Sequence, residues 1–161
     1  MAPNREPDLV GSERDVLLNY LNKNRDAVVR VSEGLTDAQQ RTPGVDSGTN
    51  LLGLIQHLTG VEEHWFRLVF LGEDIEPNQS MDVPPEASHD EIVAAYRAAC
   101  ARSDEIMLAC PGLSTLAQIE NPGEDEKDSL GRIAAHMIEE IARHAGQADI
   151  LREQIDGVTE D

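Results

Sequence analysis

The stretch that most narrows the fold is residues 129–153, SLGRIAAHMIEEIARHAGQADILRE. Leu130, Ile133, Met137, Ile141, Ala145, Ala148 and Leu151 recur at helical spacing, which predicts one long amphipathic helix with a single core stripe. Such a helix gains most of its stability from whatever covers its stripe, so the chain must supply packing partners. Beside the stripe stand His136, Glu140 and His144, in steps of four residues. Each step rises about 6 Å and drifts only about 40° around the axis, so neighbours in the series can aim at one point. Metal-ligating groups beside a core stripe, rather than opposite it, place a candidate site at the mouth or inside of a bundle.

Composition decides what the partners are. Aromatic residues make up 3% of the 161-residue chain, so the core must come from Leu, Ile, Val and Ala, which suits helices better than a sheet. The length suits one domain, 1–161. Asp and Glu number 31 against 13 Lys and Arg, for a net charge of −18. That surface repels phosphate backbones and anionic lipid, so neither nucleic acid nor membrane is expected as a partner. No basic and apolar leader opens the chain, no stretch approaches the roughly 18 apolar residues of a membrane span, and a cytoplasmic protein is expected. Cys100 and Cys110 fall about 15 Å apart along one predicted helix, too far for a disulfide. Both are expected as buried apolar thiols.

Residues 1–10 carry two prolines and mixed charge and are expected as an extended or frayed leader. From Ser12 a helical pattern places Val16, Leu17, Tyr20, Leu21, Asn24, Val28 and Val31 near one face, with Gly34 as a stop. Thr36 caps a short turn of helix, and RTPGVDSGTN reads as a loop. Thr49 or Asn50 then caps a second long helix, LLGLIQHLTGVEEHWFRLVFLG, with the stripe Leu51, Leu54, Ile55, Leu58, Val61, Trp65, Leu68 and Val69. Three prolines in residues 76–86 mark a crossing loop. Ser88 and Glu91 form a capping box for a third helix that runs to Cys110 and ends at Pro111-Gly112. Residues 113–128 read as a loop with a solvated acidic run, and the acidic tail after Gly157 is expected to be mobile. The expected fold is all-α, a four-helix bundle with a long crossing loop between helices two and three.

Helices two and four carry four of the five histidines. Glu-x-x-x-His alone is a weak signal, since it recurs as a hydrogen-bonded pair on wet helix faces. A histidine on the flank of a second core helix strengthens it, because three protein ligands with one open position is the usual catalytic arrangement for zinc. His136 and His144 lie about 12 Å apart along the axis, and His57 and His64 about 10 Å, so one ion takes at most one of each pair. Spacing leaves open which histidines join Glu140. His89, at a helix entrance, is expected as a capping or exposed residue, and Glu62 and Glu63 as solvated. Ser12, Ser32 and Ser103 have no evident base. No Gly-rich phosphate loop, Gly-x-Ser-x-Gly or His-Glu-x-x-His competes.

SGTNLLGLIQHLTGVEEHWF, YRAACARSDEI and SLGRIAAHMIEEIARHAGQADILRE together resemble the DinB superfamily, and most closely an actinobacterial branch of it related to the mycothiol-dependent maleylpyruvate isomerases. The similarity spans nearly the whole chain, and the last segment is its most specific part. The resemblance implies a four-helix bundle in which one histidine of the second helix and two ligands of the fourth hold a divalent metal. In the isomerase branch the fourth-helix pair is Glu and His, four residues apart. Carried over, the implied ligands are His57, Glu140 and His144. Similar sequences often read His-Ala-Gly-His where this chain has His144-Ala-Gly-Gln147. If that last histidine is a ligand in them, Gln147 weakens the site here; if it lies outside the ligand shell, Gln147 can still hydrogen-bond a bound water.

The activity this resemblance implies is thiol S-transfer. A divalent metal, zinc by expectation with nickel, iron or manganese also compatible with His and Glu, activates a low-molecular-weight thiol such as mycothiol for attack on a small electrophile. The same donors could instead serve a metal-dependent hydrolase or a non-catalytic metal-binding or interaction bundle. Pairing as a C2 homodimer is the default expectation for a bundle of this size.

Overall fold

A computed structural model describes residues 11–159. The leader expected over residues 1–10 and the last two positions of the tail lie outside the described residues. Five helices follow one another: α1 (Glu13–Ser32), α2 (Asp37–Gln40), α3 (Leu51–Glu62, continued by a π-helical turn, Glu63–Phe70), α4 (His89–Ala109) and α5 (Leu130–Asp156). The four long ones form the expected all-α bundle, with α1 packed mainly on α5 and α3 on α4. No helix among the described residues is long and apolar enough to cross a membrane.

Local chemistry explains where the helices begin. Ser12 with Asp15, Thr36 with Gln39 and Ser88 with Glu91 each form a reciprocal capping box, which satisfies two of the backbone N–H groups that a helix start leaves unpaired. Asn50, not Thr49, caps α3, and Ser129 caps α5. α5 runs three residues past the expected Glu153 and stops at Gly157, whose φ of 75° is the left-handed conformation that glycine adopts without strain. The whole predicted stripe of α5 is buried.

Two stripes differ from expectation, each for a physical reason. On α1 the buried face is Leu18, Leu21, Arg25, Val28, Val29, Val31 and Ser32, while Val16, Leu17, Tyr20 and Asn24 are only partly covered. The face turns because Arg25, fully buried, must reach a carboxylate inside. In the second long helix the backbone leaves α geometry after Glu62, and Leu71 N–H bonds back five residues to Phe66 O at 3.2 Å. The wider turn carries Phe66, Val69 and Phe70 into the core and leaves Leu68 half-buried.

Arg25 meets Glu62, which is buried rather than solvated as expected. Arg25 Nε and Nη2 donate to the two Glu62 oxygens at 2.7 Å each. Arg25 Nη1 continues to Asp104 Oδ1 at 2.6 Å and Asn22 Oδ1 at 2.9 Å, while Ser103 Oγ donates to Glu62 Oε2 at 2.7 Å. One bidentate pair thereby links α1, α3 and α4. Two charges can stay out of water because each is met by fixed, well-aligned partners. Glu63, the other acid expected in solvent, is half-buried and pairs with Arg67 at 3.0 Å.

Removing one member strands the other. Glu62→Ala is expected to lower the unfolding free energy by about 3–5 kcal/mol, and Arg25→Met with Glu62→Leu to recover most of that loss. Urea denaturation reads both; a Glu62→Ala midpoint equal to the parent's would refute the assignment.

Candidate metal centre

α3 presents His57 toward α5, which presents Glu140 and His144 one turn apart. One ligand atom from each of the three lies within 4.8 Å of the others, and among the described residues no fourth His, Cys, Asp or Glu joins them. His144 Nε2 sits 3.0 Å from Glu140 Oε1, and His57 Nε2 sits 3.9 Å from the same oxygen. The imidazole rings meet edge to face with centroids 5.0 Å apart. Side-chain exposures of 11–18% leave the cluster sheltered but reachable.

What lies behind the rings decides what they can bind. His57 Nδ1 is 2.7 Å from the Gln79 carbonyl oxygen, which can only accept, so Nδ1 carries the proton. His144 Nδ1 is 2.8 Å from Gln147 Oε1, which also accepts. In the neutral ring both Nε2 atoms are then bare lone pairs. With both Nδ1 atoms donating, they converge on a carboxylate oxygen as three acceptors, His144 Nε2 and Glu140 Oε1 at a hydrogen-bonding distance of 3.0 Å. That arrangement calls for a cation, either a proton or a metal ion. Imidazole Nε2 atoms fixed by Nδ1–H bonds to oxygen are the usual outer support of a metal-bound histidine, so these residues fit a divalent ion. Glu140 turns its other oxygen outward, where Arg143 Nη1 approaches to 3.5 Å.

The remaining histidines go elsewhere. His64, carried on the π-helical turn, bonds Asn121 Oδ1 through Nε2 at 2.8 Å. His136 lies against Trp65, with centroids 4.6 Å apart. His89, expected as capping or exposed, is half-buried and sits 2.9 Å from Ser32 Oγ, so Ser32 does have an imidazole beside it. With Asp90 Oδ1 3.2 Å from His89 Nδ1, the three resemble a hydrolase string. Ser32 is nevertheless fully buried and donates its proton to Val29 O at 2.6 Å, so His89 anchors the start of α4 to the end of α1.

The family model described as Mycothiol-S-transferase matches residues 16–157, nearly the whole bundle and all three converging residues. The chain belongs to the mycothiol-S-transferase family. This agrees with the DinB resemblance read from the helix motifs. No curated protein matches the chain. Membership in the mycothiol-S-transferase family supports thiol S-transfer chemistry and a thiol substrate, and it gives the histidine–glutamate–histidine cluster a chemical context.

Two outer contacts lie beyond the sequence reading. Gln147, singled out in the sequence for the histidine it replaces, holds His144 Nδ1 from one turn along α5, a neighbour relation that i,i+3 spacing could have flagged. Gln79 acts through its backbone from 22 residues away, and no side-chain motif announces it.

Neither cysteine of this mycothiol-S-transferase family member is a surface nucleophile; both are buried and free. Burial first, and the Glu62 carboxylate second, push the Cys100 thiol far above the usual thiol range. Folding therefore holds this proton more tightly than the unfolded chain does. Its contribution to stability is complete below the ordinary thiol pKa and declines as pH rises beyond it. Native protein treated with iodoacetamide at mildly alkaline pH is expected to leave Cys100 unmodified by peptide mass mapping, and unfolded protein to alkylate it fully. Rapid labelling of Cys100 in the native state would contradict the buried pairing.

Proposed function

We propose that the chain is a divalent-metal-dependent thiol S-transferase whose metal ligands are His57, Glu140 and His144, with zinc as the ion and mycothiol as the thiol. The observation that carries this reading is the convergence of His57 Nε2, His144 Nε2 and Glu140 Oε1 on one point, with each imidazole Nδ1 set against an oxygen behind it. A divalent ion held there supplies positive charge that favours thiolate over thiol at neutral pH.

The chain's own groups account for the rest. Three protein donors leave a position open, as catalytic rather than structural zinc sites do. Two neutral imidazoles and one carboxylate leave the centre a net positive charge, which favours an anionic sulfur. Gln79 and Gln147 keep the imidazoles from turning, so less reorganisation accompanies ligand exchange. The transfer itself exchanges bonds at one carbon of the electrophile. The sulfur pair forms the new S–C bond, the leaving group departs with its own pair, and the thiol proton passes to solvent.

Protein purified without an affinity tag is expected to carry close to one divalent ion per chain, and the His57→Ala and His144→Ala variants to lose it while keeping their helical circular dichroism. Metal-loaded parent protein should then consume mycothiol in the presence of an electrophile, and the two variants should not. Absence of metal in the parent, even after zinc is supplied, would overturn the proposal.

A further inference from the structure

α3 carries Gly53, Gln56, His57 and Gly60 at positions i, i+3, i+4 and i+7, which a helix brings to one face. The crossing segment runs along that face. A Cβ on Gly53 would stand 2.6 Å from the Met81 carbonyl oxygen, and one on Gly60 would overlap the Asn78 carbonyl group. Only glycine allows two backbones to approach this closely. Between these two notches, Gln56 Nε2 donates to the carbonyl oxygens of Ser80 at 3.0 Å and Asp82 at 2.9 Å. The segment also braces itself: Asn78 Oδ1 accepts from Ser80 N and Ser80 Oγ from Asp82 N, both at 3.0 Å. Held at both ends, the segment sets the Gln79 carbonyl 2.7 Å from His57 Nδ1.

We infer that Gly53-x-x-Gln56-His57-x-x-Gly60 is a docking face for a strap formed by residues 78–82, and that the docked strap is the positioning element for His57. It acts through the Gln79 carbonyl, which fixes the Nδ1–H tautomer and leaves Nε2 free toward Glu140 and His144. Gly60 and Gln56 are positioning residues that touch neither Glu140 nor His144. The two glycines weaken the interior of α3, but a side chain at either would lift the strap. Without the strap the His57 ring can rotate or take the other tautomer, which turns an N–H rather than a lone pair into the cluster. The consequence for metal affinity rests on the metal reading proposed above; the tautomer itself does not.

The test uses the full chain without metal. Long-range 1H–15N spectra of the histidine rings, taken above about pH 8 so that unperturbed imidazoles are neutral, report which nitrogen holds the proton. The parent is expected to show His57 protonated at Nδ1. Gly60→Ala and the milder Gln56→Ala are expected to show a mixture or the Nε2–H form, and zinc titration should give a dissociation constant raised about 10–100-fold. Gly146→Ala, where a Cβ meets nothing within 4 Å, should match the parent in both readouts. Should Gly60→Ala fail to fold, Gln56→Ala decides the matter. Variants that keep the parent's His57 tautomer would overturn the inference, whatever their zinc affinity. A parent that binds no zinc yet shows the strap-dependent tautomer would overturn the metal reading and leave the strap standing.

Discussion

The histidine–glutamate–histidine cluster depends on the register of α3 against the rest of the bundle, and the buried Arg25–Glu62 pair is what fixes that register. Glu62 lies five residues beyond His57 on the same helix, and its two oxygens are taken by Arg25 from α1 and Ser103 from α4. A helix held only by apolar side chains can slide or rotate slightly at small cost, because Leu, Ile and Val pack in several nearly equivalent ways. A bidentate guanidinium–carboxylate pair has one good geometry and a large penalty for leaving it. The pair therefore determines how α3 is rotated, and that rotation determines where His57 faces. Backbone geometry changes to π-helical immediately after Glu62, which lets the remainder of the helix settle its aromatic residues independently of the part that carries His57.

The centre itself sets favourable folding against unfavourable electrostatics. Bringing two lone pairs and a carboxylate together in a sheltered spot is costly while no cation is present, and the overall charge of −18 adds to it. The structure meets this with direct supports for each ring rather than with neutralising side chains. Arg143 stands on the outer oxygen of Glu140, 57% exposed, where it screens without entering the cluster. Acceptors arranged in this way fit a cation, and a cluster that costs local stability is where a functional site is expected to lie.

Much of this was legible in the sequence because it is local. The caps of α1, α2, α4 and α5 each depend on residues within three positions, and the α5 stripe depends on a single period, so pattern alone places them. The features that were not legible join distant parts of the chain. Arg25 and Glu62 are 37 residues apart, and nothing on either helix marks its charge as inward-facing. The π-helical turn leaves no clear periodic trace, so Leu68 was assigned to a stripe that the real backbone passes to Phe66 and Phe70. At the site, helix arithmetic expected Glu140 to take one histidine of α5 and one of His57 and His64, and the fold brings His57 and His144 to Glu140 while His64 bonds Asn121. The arithmetic could not say which of His57 and His64 would face α5, since that follows from the rotation of α3. The DinB resemblance pointed to His57, Glu140 and His144, and these are the residues the fold brings together.

The two imidazoles are secured by different means, and the difference has consequences. His144 and its support Gln147 sit on one helix, three residues apart, so their geometry persists as long as α5 is helical. His57 depends on a carbonyl from a segment with no secondary structure of its own, and its geometry persists only while that segment stays docked. Loops generally open at lower free energy than the helices they cover. The α5 half of the cluster is therefore the permanent half, and the α3 half is conditional on the strap. Binding that uses both halves must stabilise the docked strap by the same free energy that docking contributes to binding. A cation bound at this site would thus be coupled thermodynamically to the crossing segment, although the strap reaches the cluster only through the back of one ring.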